Sequence, residues 1–177
     1  MIFLNRVPKR KDILPVYAVI VLMVYGWTIL KFSYYVPSWL YFLNLSEILI
    51  VFSYSMAVNL LESLSILIGV VTIAAILPQK WFAEMFVARG AGLSILLLGL
   101  MMYVANQFNT KGYYPSEIIH WSPIIFVFMG MFVYLIGRIT FLRNAVECFA
   151  DRTIIFLYIS IPFSVLAFIV VLMRNLI

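Results

Sequence analysis

Apolar residues follow one another along this chain in runs too long for a soluble helix, and the polar residues gather in short gaps between them. A helix crosses bilayer hydrocarbon in about 20 residues. On that measure the pattern predicts an all-α integral membrane protein of about five transmembrane helices, at roughly 13–32, 57–77, 90–106, 122–142 and 154–173. Pro15 and Pro123 fall in first turns, where proline is tolerated, whereas Pro162 lies inside its span and should kink it.

Residues 38–77 resist this division. They are nearly all apolar, with no Gly or Pro until Gly69. As one helix they would extend about 60 Å, twice the hydrocarbon thickness. Either a helix projects from the membrane or the stretch holds two elements. A crossing near 57–77 leaves Tyr34, Tyr35, Trp39, Tyr41 and Phe42 in an additional aromatic-rich outer segment, interfacial or re-entrant, where amphipathic rings are at home. A single long, tilted helix is the other arrangement.

Charge separates the topologies. With five spans, one side holds Arg6, Lys9, Arg10, Lys11, Lys80, Arg89, Arg138, Arg143 and Arg152, and the other only Lys31, Lys111 and Arg174. Splitting the second region into a hairpin would divide these cations evenly. The positive-inside rule therefore favours five spans, with the N-terminus cytoplasmic, the C-terminus outside, and a plasma (inner) membrane location. On the inner side, 80–89 and 141–152 read as helices lying in the headgroup layer, apolar on one face and charged on the other.

Composition narrows the class further. Hydrophobic residues make up 66% of the 177 and charged residues 11%, well below the roughly one quarter charged that soluble domains carry. The net charge of +5 is held in loops, so it reads as topology rather than as a nucleic-acid surface. The run from Ile13 to Phe32 is too long for a signal-peptide core and reads as a retained span. The single cysteine, Cys148, excludes an intrachain disulfide.

Candidate chemistry centres on the second span. At about 100° per residue, Ser55, Asn59, Glu62, Ser65 and Gly69 share a sector of about 120°, and Asn44 and Glu47 join it if the helix runs back that far. Such an intramembrane polar stripe should face protein or water. Glu62 has no cation within a turn, so it must be protonated, paired or hydrated there. Outside, Glu117 and His120 lie three apart and Glu47 is a further candidate, but one histidine is too few for a di-metal bundle site. No metal or cofactor is therefore expected.

Gly92 and Gly99, and Gly130 and Gly137, repeat at seven-residue spacing on the third and fourth spans, as helix-packing positions do. Arg138, Arg143, Glu147, Asp151 and Arg152 surround the last inner loop, a mixed set suited to lipid headgroups, a soluble partner or simply to setting topology. Haem, iron–sulfur, phosphate-loop, nucleophile-elbow and potassium-filter motifs are all missing. The expectation is a small membrane subunit that assembles with other subunits or with itself. The alternatives are a self-associating transporter using Glu62, and an enzyme on lipid-linked substrates using Glu47, Glu117 and His120.

Overall fold

The structure, a computed structural model, describes residues 8–112 and 116–176. Five α-helices account for most of the described chain: α1 (Arg10–Trp39), α2 (Leu45–Ile76), α3 (Phe86–Lys111), α4 (Ser116–Arg138) and α5 (Thr140–Leu176). All five are long and apolar enough to cross a membrane, and no strand occurs among the described residues. The protein is an all-α, multi-pass membrane protein.

Side-chain pairings set the direction of each helix. Val16 faces Gly90 and Lys31 reaches Asn106, so α1 and α3 run parallel. Val19 packs with Ala150 and Tyr25 meets Ser164, so α5 runs the same way. Tyr17 pairs with Ser63 and Phe32 with Phe52, so α2 runs opposite. Arg89 and Gly92 of α3 meet Gly137 and Ile136 of α4, an antiparallel pair. Consequently α1 begins and α5 finishes at opposite ends of the bundle.

The helix α1 is the hub. Residues 15–21 are buried without interruption, which means every face of this segment touches protein. Val19, Ala91 and Ala150, all fully buried, let α1, α3 and α5 approach closely because their side chains are small. Hydrogen bonds extend from α1 to its neighbours. Ser164 gives its proton to the Ser160 carbonyl, so the 2.6 Å bond between Tyr25 and Ser164 is donated by the tyrosine. Thr28 donates to Asn59 Oδ1 at 2.9 Å. By contrast α4 touches the bundle along one stripe, Met129, Val133 and Ile136, and leaves Phe126, Val127, Phe128 and Phe132 exposed.

Three expectations change. Residues 34–56 form no separate re-entrant or surface element. The first of them complete α1, a turn follows at Leu40–Asn44, and α2 then continues unbroken for 32 residues, about 48 Å. The stop is a capping box: Asn44 and Glu47 bond reciprocally across the first turn, with the Asn44 N–H donating to Glu47 Oε2 at 2.8 Å. Residues 80–89 are not one interfacial helix either. They form two single 3-10 turns, Gln79–Trp81 and Ala83–Met85, and then enter α3. The reason is that Phe82 and Phe86 turn into the core instead of lying along the surface. Finally, 141–152 is simply the beginning of α5, whose 37 residues extend about 55 Å.

Candidate functional site

The polar positions of α2 divide between its two sides. With Glu62 as zero, Ser65 falls near −60°, Gly69 near −20° and Thr72 near −80°, whereas Asn59 falls near +60° and Ser63 near +100°. The first group is exposed and the second buried. The stripe read from the sequence is therefore split by the packing. Asn59 and Ser63 enter the seam against α1, while Glu62 and Ser65 face away from the bundle and Ser55 lies half-buried at the edge.

On the outward side the hydroxyls are already satisfied. Ser55, Ser65 and Thr72 each donate to a carbonyl one turn back on their own helix, those of Val51, Leu61 and Ile68. Glu62 differs: its carboxylate has no partner among the described residues. Around it Val58, Leu61 and Ile68 are exposed, so the carboxyl group sits on a largely apolar surface. Gly69 stands open, with nothing among the described residues within 4 Å of where a Cβ would lie.

Comparison with family models, curated proteins and solved structures finds no match.

On the inward side, Tyr17, Thr28, Asn59 and Ser63 make a short polar seam between α1 and α2. Asn59 is nearly fully buried, and among the described residues its Nδ2 has no acceptor. On a helical wheel Ser63 falls outside the polar stripe. Its signal is visible only with Tyr17 opposite, and that pairing depends on tertiary structure.

The outer candidates do not form a visible set. Glu47 is occupied by the α2 capping box, His120 is exposed on α4, and the side chain of Glu117 lies outside the described residues. No three His, Cys, Asp or Glu side chains among the described residues stand close enough to share a metal ion.

The four glycines also differ. A Cβ at Gly92 would lie 2.7 Å from Ile136 Cδ1, and one at Gly137 would collide with the Arg89 guanidinium, so these two sit in the α3–α4 contact. At Gly99 and Gly130 nothing among the described residues lies within 4 Å of where a Cβ would stand.

Sequence reading also missed Arg89 as anything more than a loop charge. It is buried in α3, donates through Nη1 to the Trp81 carbonyl, and lies 5.6 Å from the Tyr134 ring centroid.

Proposed function

We propose that the chain is a small non-catalytic subunit of a larger membrane assembly, and that the outward face of α2 receives a transmembrane helix of a neighbouring subunit. The observation that carries this reading is Glu62, turned out of its own bundle and without a partner among the described residues. Carrying an acidic side chain at mid-membrane costs about 2.5–3.5 kcal/mol on insertion scales. A donor on a neighbouring helix offsets that cost. Ser65 and Gly69, four residues apart on the same face, supply the small-xxx-small spacing that allows two backbones to approach.

The transport reading has one observation in its favour, the unmatched Asn59 amide inside the α1–α2 seam. Glu62 is turned out of that seam, so a pathway using its carboxylate would have to run between copies of the chain. The positive-inside rule supports placing the α1-start end of the bundle in the cytoplasm of a plasma-membrane protein, because Lys9, Arg10, Lys11, Arg89, Arg138, Arg143 and Arg152 collect at that end.

The test is extraction of the tagged native protein in a mild neutral detergent, followed by native mass measurement and identification of co-purifying chains. Larger subunits in fixed stoichiometry are expected. Gly69→Leu should abolish their retention and Glu62→Leu should weaken it, while the isolated chain unfolds at an unchanged temperature. Recovery of nothing but monomer or homo-oligomer would overturn the proposal and move attention to ion-flux assays of Glu62→Gln.

A further inference from the structure

A second feature lies at the end of the bundle where α1 begins, and it is independent of the α2 face. The end of α4, the start of α3 and the first turns of α5 border a recess of about 350 Å³ lined by Trp81, Met85, Arg89, Tyr134, Gly137, Arg138 and Arg143. Three arginines thus line one small space, and among the described residues no carboxylate lines it.

The arrangement is built rather than incidental. Arg89 is buried and is anchored by its bond to the Trp81 carbonyl. Tyr134 holds two of the arginines, with Arg89 and Arg138 lying 5.6 and 5.8 Å from its ring centroid, and Trp81 packs on the same ring at 5.8 Å. Gly137 has no side chain, and the Arg89 guanidinium fills the place where one would lie.

The acids of this end stand elsewhere. Asp12, Glu84, Glu147 and Asp151 line a separate recess with Lys11. Arg143 and Glu147 are one turn apart on α5 yet serve different recesses. Among the described residues, neither Arg138 nor Arg143 has a carboxylate within ion-pair distance.

Arg138 and Arg143, with no carboxylate beside them among the described residues, are free to take an anion. Guanidinium groups bind phosphate through paired parallel N–H···O bonds, which suits planar arginine better than lysine. The depth of the recess identifies the source. Arg138 is the last residue of α4, and Trp81 and Tyr134 are the ring types that settle at headgroup level. Basic pockets between transmembrane helices at the cytoplasmic boundary hold anionic lipid headgroups. We infer that this recess binds the phosphate of an anionic phospholipid headgroup from the inner leaflet, with the acyl chains lying along the exposed apolar side of α4.

The experiment uses the full chain purified in a neutral detergent and titrated with short-chain phosphatidylglycerol, phosphatidylcholine or inorganic phosphate. Bound lipid is counted by native mass spectrometry. Phosphatidylglycerol should be retained about tenfold more tightly than phosphatidylcholine, whose choline cation is repelled by the arginines. Arg138→Gln with Arg143→Gln should remove that preference, and Arg174→Gln at the opposite end should keep it. Arg138→Lys with Arg143→Lys, which preserves charge and is the milder change, should weaken retention only in part. Equal retention of the two lipids, or an unchanged preference in the double glutamine variant, overturns the inference. So does displacement of phosphatidylglycerol by millimolar inorganic phosphate, which would make this a free-phosphate site.

Discussion

At the scale of single residues, an added methyl group would distinguish Gly137 from Gly130, although both lie on α4, seven positions apart. Alanine at 137 would push the Arg89 guanidinium out of its place, so Gly137→Ala should destabilise the protein by about 1–3 kcal/mol, the usual cost of overpacking. Alanine at 130 or 99 meets open space among the described residues. Those variants should be neutral or gain up to about 1 kcal/mol from better helix propensity. Thermal unfolding of the four proteins in one detergent compares them directly. Tyr25 offers a second test. Its hydroxyl donates to Ser164 inside the bundle, and a double-mutant cycle of Tyr25→Phe and Ser164→Ala should give a coupling near 0.6 kcal/mol, with about 1.7 as the upper end for such bonds in membranes. A coupling of zero would mean that the hydroxyl finds an equivalent partner elsewhere.

At the scale of elements, the turn between α1 and α2 is governed by its cap. The signal was present in the sequence as Asn44-x-x-Glu47 ahead of an apolar run, the pattern that ends one element and opens the next. Reading Glu47 as a candidate for outer-face chemistry overlooked this simpler use. Asn44→Ala should cost about 1 kcal/mol and speed hydrogen exchange in the first turn of α2 while leaving α5 unaffected. The helices also differ in tolerance. Ala18 on α1 is fully buried, so Ala18→Leu should cost about 1–3 kcal/mol. Val127 on α4 is 71% exposed, and Val127→Leu should leave the unfolding temperature unchanged. Hydropathy ranks these two helices alike, because lipid contact and protein contact require the same apolar side chains.

At the scale of the whole molecule, parallel α1, α3 and α5 place the start of α1 and the finish of α5 at opposite ends of the bundle. The exposed Cys148 lies toward the first of these and the exposed Tyr41 at the second. In intact cells a membrane-impermeant thiol reagent should therefore leave the natural protein unlabelled and react with a Tyr41→Cys, Cys148→Ser variant. The reverse pattern would invert the proposed orientation and move the arginine recess to the outer leaflet. The α2 face and the arginine recess both draw on residues whose partners are far away in the chain or not found among the described residues.

The chain alone determined that this is a five-helix membrane protein, because an uninterrupted apolar run of about 20 residues has few other stable environments. It also determined the asymmetry of charge between the two ends, since arginine and lysine cannot be distributed through hydrocarbon without cost. Only the tertiary structure decided that α1 is the hub, that Asn59 turns inward while Glu62 turns outward, and that Arg89 joins Arg138 and Arg143 across more than 40 residues of sequence. In water, a helix shows its buried side by being apolar there and polar elsewhere. In a bilayer both sides are apolar, so the sequence carries almost no record of which side faces protein, and only packing supplies it.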